Sequence, residues 1–246
     1  MIEIPSIFIG DKAGQYTVIP RVELVTDCLS NSNSIYEVLC VAKEGGTKLC
    51  PMAFFSTLGS HEIYTIYRHA LESLRDQTTA QISLNMDVNF LKSHYVEMLL
   101  SEFGSDTIIL ELSETSTAQS IAQIQGRLLK IRKNHRVRIW LDDFGTERSN
   151  FDLMNIIKFD GVKISKELFW DLYENDQMLL KYLIKMIKRK ASSVIIEGVD
   201  SFKKYVFCKE QQCMMQGYFF NEIKASKPKE DTHCNKRLKK RSWAML

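Results

Sequence analysis

Two adjacent carboxylates, Asp142 and Asp143, directly follow the short apolar run Ile139–Leu141, and Gly145 comes soon after them. An apolar run of this length that ends near a glycine is typical of a buried strand. Two acids at the end of such a strand repel each other and lose hydration, so they need a cation or a proton. The pair therefore indicates a site that handles positive charge.

Three more apolar runs end in ionisable side chains. Ile108–Leu110 leads into Glu111 and Glu114, Gly161–Val162 leads into Lys163, and Val194–Ile196 leads into Glu197, Gly198 and Asp200. A single acid at the end of a strand is more often a helix cap or an ion-pair partner. The repetition on several strands favours another interpretation, in which these polar ends form one site.

Strand-like and helix-like stretches alternate along the chain after residue 50. The predicted strands cover residues 16–25, 35–42, 82–85, 107–112, 137–141, 162–164, 194–196 and 214–219. The predicted helices cover residues 51–75, 86–103, 116–134, 149–157, 166–189 and 201–211. Repeated strand–helix units of this length predict a parallel sheet covered by helices.

Two parallel architectures fit this alternation, an open doubly wound sheet and a closed (β/α)8 barrel. Open sheets that bind dinucleotides have a glycine-rich loop after the first strand, and this sequence has none. In a barrel the carboxyl ends of all strands meet at one mouth, where the active sites of that fold lie. Because polar residues follow six predicted strands, we expect an α/β fold of the TIM-barrel type.

The composition is that of a protein with a sizeable core. Of the 246 residues, 45% are hydrophobic and 26% are charged. The N-terminus lacks the pattern of a secretory signal, and no apolar run reaches the roughly 18 residues that span a bilayer. The six cysteines show no metal-ligand spacing, which favours reduced thiols. We therefore expect a cytoplasmic protein without a membrane span.

Positive charge is concentrated near the C-terminus. Residues 224–246 contain eight Lys or Arg and only two acids, whereas the whole chain has a net charge of +3. The rest of the chain is therefore acidic on balance. We interpret residues 224–246 as a disordered, solubilising tail, although such a segment could also touch phosphates or a membrane surface. The overall charge gives no reason to expect nucleic-acid binding.

The candidate metal ligands all offer oxygen atoms; they are Asn85, Glu111, Asp142, Asp143 and Glu197. Oxygen ligands without His or Cys suit hard cations such as Mg²⁺ or Mn²⁺. Adjacent aspartates suit two ions about 4 Å apart, an arrangement that cleaves phosphodiesters by in-line attack. Lys163 could stabilise a phosphate oxygen, and Glu197 could accept a proton from water.

Five motifs occur in the order that is found in EAL domains, the cyclic-di-GMP-specific phosphodiesterases of bacteria. They are Leu110–Glu114, Leu141–Thr146, Val162–Ile164, Ile196–Asp200 and Gln216–Phe219. The chain most resembles short stand-alone members of that family. The resemblance implies a modified (β/α)8 barrel with one antiparallel strand over residues 16–223, between an N-terminal extension of residues 1–15 and the basic tail. It also implies a homodimer that hydrolyses cyclic di-GMP to linear pGpG with two Mg²⁺ or Mn²⁺ ions.

The resemblance also implies a role for each matching residue. The metal ligands would be Glu37, Asn85, Glu111, Asp142 and Asp143. The catalytic residues would be Glu197 as base, Lys163, and Gln216 as the group that positions water or metal. Glu114 would stabilise the loop after the two aspartates, and Asp200 and Gly217 would contact substrate. Glu37 is preferred to Glu23 as the glutamate of the naming motif, because Pro51 and Phe55 follow it at about the family's spacing.

Several positions depart from the family pattern. Ser165 replaces an aspartate near the second metal, Val41 replaces a phosphate-binding arginine, and Ile19 replaces a glutamine. Glu147 stands where a glycine is usual in the loop after the aspartates. We therefore expect these changes to alter substrate binding more than metal binding.

Two functions from different classes fit these observations. The first is an active phosphodiesterase that lowers cyclic di-GMP in motility or biofilm signalling. The second is a degenerate, inactive EAL domain that senses the nucleotide or binds a protein partner such as a transcriptional regulator. The retained acids favour the enzyme, since a pure binding scaffold has no need for so many unpaired carboxylates. The loss of polar residues at Val41 and Ile19 favours the binding module.

Overall fold

The computed structural model describes residues 2–11, 14–27, 34–104, 106–112, 118–146 and 151–220. The strands in these residues are β1 Ile7–Asp11, β2 Gly14–Asp27, β3 Ile35–Glu44, β4 Thr47–Lys48, β5 Gln81–Met86, β6 Ile108–Leu112, β7 Arg138–Phe144, β8 Gly161–Ile164, β9 Ser193–Ile196 and β10 Met214–Gln216. The helices are α1 Pro51–Thr57, α2 Ser60–Arg75, α3 Val88–Lys92, α4 Tyr95–Phe103, α5 Ala118–His135, α6 Phe151–Ile156, α7 Lys166–Asn175, α8 Gln177–Ile187 and α9 Phe202–Glu210. None of these helices is long and apolar enough to cross a membrane.

The strands form one sheet that closes on itself. Strands β3 and β5–β10 are parallel neighbours in the order of the chain. Strand β2 closes the barrel, because it pairs antiparallel with β10 through Val25–Asp27 and antiparallel with β3 through Tyr16–Val25. The structure confirms the predicted α/β barrel of eight strands with one antiparallel strand. An open doubly wound sheet is excluded, since β2 hydrogen-bonds to both neighbours.

Alternate residues of each strand point into the barrel, as strand geometry requires. One buried apolar cluster fills the lower part of the lumen and consists of Val25, Ile35, Ile109, Trp140 and Ile195. Gly161 lies beside the large indole, because a Cβ atom at that position would lie 2.7 Å from the Trp140 ring. On the same strand faces, two positions closer to the mouth of the barrel, the side chains are polar. These residues are Glu23, Glu37, Glu111, Asp142, Lys163, Glu197 and Gln216. A layer of polar side chains therefore sits directly on an apolar layer.

Strands β2 and β3 extend beyond the mouth of the barrel. Strand β5 pairs with Ile35–Val38 of β3, whereas β2 continues to pair with β3 as far as Glu44. The segments Tyr16–Arg21 and Leu39–Glu44 thus form an antiparallel ribbon, which we call the β2–β3 ribbon. Its outer face is apolar, since Val18 and Ala42 are buried there. Its inner face continues the face that lines the lumen.

Two short strands, β1 and β4, are not predicted from the sequence. Strand β1 pairs antiparallel with β2 from Ile7 opposite Val18 to Asp11 opposite Gly14, so the sheet includes part of residues 1–15. Strand β4 follows a two-residue turn in which Gly45 and Gly46 both have positive φ angles, of 53° and 89°. Such turns favour glycine and return the chain directly into a hairpin.

Three of the predicted helices are each divided in two. The predicted helix over residues 166–189 is interrupted at Asp176, whose carboxylate accepts a hydrogen bond from the backbone N–H of Leu179 at 2.9 Å and caps α8. The predicted helix over residues 51–75 is interrupted at Leu58 and Gly59, both of which are extended. The third break, at Ser93, separates α3 from α4. A side-chain cap marks the break at Asp176, whereas the breaks at Gly59 and Ser93 lie at extended residues and the helices that follow them have no side-chain cap.

Candidate active site

The ammonium group of Lys163 lies at the centre of the polar layer. Its Nζ atom is 3.1 Å from an oxygen of Glu37, 3.1 Å from Glu111, 2.8 Å from Asp142 and 2.9 Å from Glu197. The lysine side chain is only 1% exposed. Four carboxylates on four different parts of the barrel therefore share one buried cation.

Strand register explains why these residues meet. Lys163, Glu111 and Asp142 each lie near the carboxyl end of a parallel strand, and Glu37 lies on β3 beside Ser83 of β5. Glu197 follows β9 directly, where its backbone N–H donates to the carbonyl of Ile164 at 3.1 Å. Carboxyl ends of barrel strands converge on one mouth. The structure thus brings together residues that are up to 160 positions apart in the chain.

Asp142 and Asp143 reach the same space because β7 is irregular. The strand continues to Phe144, beyond the predicted end at Leu141, and its register with β8 shifts between Leu141 and Phe144. Asp143 has a φ angle of 53°, a left-handed conformation that aspartate tolerates better than most residues. In a regular strand the two side chains would face opposite sides of the sheet. The bulge therefore allows both carboxylates to lie near Glu197.

Two side-chain amides orient Glu37. Asn85 donates to one oxygen of Glu37 at 3.0 Å, and Gln216 donates to the other at 2.7 Å. The amide of Gln216 also donates to Glu23 at 3.0 Å. The oxygen of the Asn85 side chain remains available as a ligand, because its nitrogen is the atom that faces Glu37.

Two residues of this network are missed by the sequence analysis. Glu23 is considered there only as an alternative to Glu37, yet the two are cross-strand partners in the β2–β3 pair. Its position two residues from buried Val25, on the same strand face, is a signal that could have found it. Tyr67 of α2 is buried and donates its hydroxyl to the backbone carbonyl of Asn85 at 2.5 Å. Nothing in the sequence separates Tyr67 from the apolar residues around it on that helix.

Charge in the cluster keeps the lysine protonated. Burial by itself would lower the pKa of Lys163, but Asp142, Glu111, Glu37 and Glu197 outweigh it and raise this pKa well above its ordinary value. Burial also acts to raise the pKa of Glu37, but Lys163 and the two amides lower it overall. The Lys163–Glu37 pair is therefore ionised in the folded protein.

The other three carboxyls of the cluster bind protons more tightly than usual. Burial raises the pKa of Glu111 well above its ordinary value, with a further increase from the charge of Glu37. Burial likewise raises the pKa of Asp142, against the opposing effect of Lys163. Burial raises the pKa of Glu197 to about 7. One lysine does not neutralise all four acids, so the cluster has room for more positive charge.

We expect the free energy of unfolding of the metal-free protein to fall as pH rises from 4.5 to about 7, and Glu197→Gln to remove part of that fall. A carboxyl whose pKa is raised by folding holds more protons in the folded than in the unfolded state across this interval, so deprotonation costs stability. Urea unfolding of both proteins in EDTA, at several pH values in the interval, measures the effect. An identical pH dependence in the two proteins would contradict the assignment.

The donor atoms fit a pair of hard cations. The first set of carboxylate oxygens belongs to Glu37, Glu111 and Asp142, and the second to Asp142, Asp143 and Glu197; within each set the oxygens lie within 4.8 Å of one another. Asp142 belongs to both sets. One buried oxygen of Glu111 has no hydrogen-bond partner among the described residues, as expected for an atom that serves as a ligand. Oxygen-only sets of this kind suit Mg²⁺ or Mn²⁺.

A tryptophan holds the turn that follows Glu197. The indole N–H of Trp170 donates to the carbonyl of Gly198 at 2.7 Å, and Gly198 has a φ angle of 72°. The ammonium groups of Lys166 and Lys204 lie 4.7 and 4.4 Å from the centroid of the indole. Cations at these distances are attracted to the face of the ring. The backbone after Glu197 is thus fixed by contacts outside the carboxylate cluster.

The structure does not bring every predicted residue into the cluster. The carboxylate of Asp200 pairs with Lys204 at 3.2 Å instead of facing Lys163. Gly217 allows a close backbone approach, because a Cβ atom there would lie 2.3 Å from the carbonyl oxygen of Val199. The predicted roles of Asp200 and Gly217 in substrate binding therefore stay predictions. Glu114, Glu147 and the tail of residues 224–246 lie outside the described residues.

Ser165, which replaces a family aspartate, has a structural role. It is fully buried and forms the N-cap of α7, where its hydroxyl accepts from the backbone N–H of Leu168 at 3.4 Å. Serine and aspartate are both favoured N-cap residues. The substitution therefore keeps the helix cap and removes one negative charge near Lys163.

Comparison with known proteins agrees with this architecture. The cyclic di-GMP phosphodiesterase TpdA of Vibrio parahaemolyticus is 25% identical over 210 residues, which are 81% of this chain and 36% of TpdA. The chain thus spans about a third of the length of that relative. The EAL domain of FimX from Pseudomonas aeruginosa, solved with bound cyclic di-GMP, superposes with a TM-score of 0.69 at 16% identity and covers 82% of this chain and 88% of that one.

A second structure holds both nucleotide and metal. The YkuI protein of Bacillus subtilis, which has an EAL domain and was solved with its substrate cyclic di-GMP and calcium, superposes with a TM-score of 0.66 at 19% identity. The superposition covers 82% of this chain and 55% of that one, and at this identity it shows the fold. The EAL domain family matches residues 17–223. With five motifs in order, a barrel closed by one antiparallel strand and a family match over most of its length, this chain belongs to the EAL domain family.

Proposed function

We propose that the protein is a phosphodiesterase that hydrolyses cyclic di-GMP to linear pGpG with two Mg²⁺ or Mn²⁺ ions. The observation that carries the proposal is the pair of oxygen-donor sets that share Asp142 at the barrel mouth, beside Lys163 and Glu197. Sets of ligands that share one carboxylate suit two ions that act on one phosphodiester. Relatives such as TpdA, a cyclic di-GMP phosphodiesterase, support the substrate.

Each donor set would bind one of the two metal ions. Glu37, Glu111 and Asp142, with Asn85 beside them, would hold one ion, and Asp142, Asp143 and Glu197 lie around the other. Bound ions would lower the pKa of water and stabilise negative charge on the phosphodiester. Gln216 and Asn85 fix the carboxylate of Glu37 through its two oxygens. This orientation is complete in the folded chain, so little reorganisation is needed at the moment of reaction.

Glu197 would accept the proton of the attacking water, and Lys163 would supply a fixed positive charge. Without metal ions, burial raises the pKa of Glu197 to about 7, and its carboxylate form would take a proton from the attacking water. The water oxygen forms the new bond to phosphorus, and the bond from phosphorus to the leaving sugar oxygen breaks. The leaving oxygen takes a proton from solvent and stays on the linear product as a hydroxyl group. Lys163 keeps its charge throughout, because its pKa is raised well above the ordinary value. Its role is to stabilise the surrounding carboxylates and the phosphoryl oxygens, not to exchange protons.

The direct test is hydrolysis of cyclic di-GMP by the purified protein with Mg²⁺ or Mn²⁺, followed by chromatography. We expect pGpG to accumulate and EDTA to abolish its formation, since metal ions stabilise the developing charge. Incubation with a linear dinucleotide that has an internal phosphodiester controls for a general nuclease. Intact cyclic di-GMP after incubation of a folded, metal-loaded protein would contradict the proposal.

A binding module remains the second candidate, and one observation favours it. The apolar residues Ile19 and Val41, which replace polar residues of the family, are cross-strand partners on the β2–β3 ribbon, so both losses fall at one place. A module would bind cyclic di-GMP, or a protein such as a transcriptional regulator, without forming pGpG. Calorimetric titration with the intact nucleotide separates the two candidates when no product forms. The homodimer stays a prediction of the resemblance, and the cytoplasmic location stays a prediction from the sequence.

A further inference from the structure

Arg21 lies on the inner face of the β2–β3 ribbon, directly above the polar layer. Glu37 faces the lumen, since its carboxylate meets Lys163, and Glu23 is its cross-strand partner. Side chains two positions apart on a strand share a face, so Arg21 shares the face of Glu23 and is paired with Leu39. The Cα of Arg21 is about 7 Å along the strand from that of Glu23. The register is continuous over the whole pair, so no bulge turns Arg21 away.

Because the barrel mouth is rich in acids, binding of a phosphodiester there requires an accessible cation. Lys163 is buried and contacts four carboxylates, so it presents no net positive charge to a ligand that approaches from solution. Asp143 and Glu23 add further negative charge around it. A phosphodiester anion would be repelled by these acids on its approach, even when metal ions neutralise part of their charge.

Arg21 has both the position and the chemistry of an accessible cation near these acids. It is exposed, and its guanidinium forms no hydrogen bond or ion pair with any residue that the structure describes. A guanidinium binds phosphate through two parallel hydrogen bonds and keeps its charge at every physiological pH. The next basic residue on this face, Lys43, lies six residues beyond Glu37, or about 20 Å along β3. Arg21 is therefore the basic residue of the ribbon nearest to the acids.

The residues next to Arg21 on the side away from the acids are apolar. Leu39 is its direct partner, and the pair of Ile19 and Val41 comes next along the ribbon. Val41 is the diagonal neighbour of Arg21, and diagonal positions are about 7–8 Å apart, within reach of a long side chain. The apolar neighbours do not compete for the guanidinium. They offer a surface for the sugar or the base of a nucleotide whose phosphate the arginine binds.

We infer that Arg21 binds a phosphate of the cyclic dinucleotide and determines how tightly this chain holds its substrate. The inference rests on the proposed function and adds to it a binding residue on β2. It also accounts for the apolar residue at position 41, since a cation on the neighbouring strand reaches the same space.

Steady-state kinetics of Arg21→Ala, Arg21→Lys and the wild-type protein test this inference, with Lys43→Ala as a matched control. We expect Arg21→Ala to raise KM about tenfold to a hundredfold, as for the loss of a charge-assisted hydrogen bond, and to leave kcat nearly unchanged. Arg21→Lys should recover part of the loss, because it restores the charge but not the planar fork. Added salt should raise the KM of the wild-type protein more than that of Arg21→Ala. Lys43→Ala should behave like the wild type, and thermal unfolding should be the same for all four proteins.

The outcomes distinguish this inference from the proposed function. Wild-type KM in Arg21→Ala, or a fall in kcat alone, would overturn the role of Arg21 and leave the phosphodiesterase proposal intact. An equal rise of KM in Lys43→Ala would also overturn it, because the effect would then reflect the general charge of the ribbon. If the wild-type protein neither hydrolyses nor binds cyclic di-GMP, the proposed function fails and the inference fails with it.

Discussion

Replacing Lys163 with Met should lower the free energy of unfolding in EDTA by about 3–5 kcal/mol, the usual cost of removing one partner from a buried ion pair. The variant keeps most of the volume of the side chain and removes the cation that four carboxylates share. For a chain of this size the loss corresponds to a melting temperature about 6–20 °C lower. Differential scanning calorimetry or urea unfolding measures it directly.

Two conditions should reduce the effect of Lys163→Met. Lower pH protonates the carboxyls, beginning with those whose pKa burial has raised, such as Glu197, and so removes the repulsion. Added Mn²⁺ should restore part of the stability, because ions held by the two donor sets would replace the missing charge. Lys130→Met, on an exposed face of α5, is the matched control and should change stability by no more than about 0.5 kcal/mol. Equal melting temperatures of Lys163→Met and Lys130→Met in EDTA would refute the central role of Lys163.

Replacing Asp142 with Asn should reduce kcat for cyclic di-GMP about a thousandfold or more, which corresponds to about 4 kcal/mol of transition-state stabilisation. Asp142 contributes to both donor sets, so its loss weakens both ions at once. Folding should be nearly unaffected, because Asn has the same shape and can still accept a hydrogen bond from Lys163. Burial also raises the pKa of Asp142, which shows that its charge is costly in the folded state.

The experiment for Asp142→Asn compares kcat and thermal stability in the same preparations. Asp171→Asn, on an exposed part of α7, makes the same chemical change away from the mouth and should retain full activity. A melting temperature that is equal to or above that of the wild type, together with lost turnover, separates a catalytic role from a structural one. Retention of a tenth or more of the wild-type kcat would show that the shared carboxylate is not essential.

Both predictions follow from the free-energy cost of burying several negative charges in one layer. The cluster places acids in a buried layer where their charges are unfavourable, and a single lysine offsets only part of that cost. Sites that bind two divalent cations need such an excess of negative charge before the ions arrive. We therefore expect variants that remove Glu111, Asp142 or Glu197, the acids whose pKa is raised, to be more stable without metal and less active with it.

Much of the fold could be predicted from the sequence, because the signals for it are local. Apolar runs that alternate with amphipathic stretches predict a parallel sheet covered by helices, and the structure has that sheet. The polar residue at the end of each run, such as Glu111 or Lys163, predicts the mouth of a barrel. Short strands such as β1 were missed because they carry little apolar pattern of their own and depend on pairing with β2.

The types of residue that form the site could be predicted from the sequence, but their arrangement in space could not. Oxygen donors in Asp142 and Asp143 suggest divalent cations, whatever the fold around them. Their approach to Glu197 depends on the bulge in β7, and such an irregularity leaves no periodic signal. Likewise, the pairing of Asp200 with Lys204 reflects a helix that starts just after β9, not the motif to which Asp200 belongs.

By itself, the sequence determined the period of the strands, the layer of polar residues at their ends and the hard-cation character of the donors, since each depends on neighbours along the chain. Only the tertiary structure decided that four acids share Lys163, that Glu23 faces Glu37, and that Arg21 lies above them. Register between strands and burial within a closed barrel depend on residues far apart in the chain. The charges of residues that lie far apart in the chain therefore set the charge balance and the pKa values of the cluster. These values become defined only when the barrel closes.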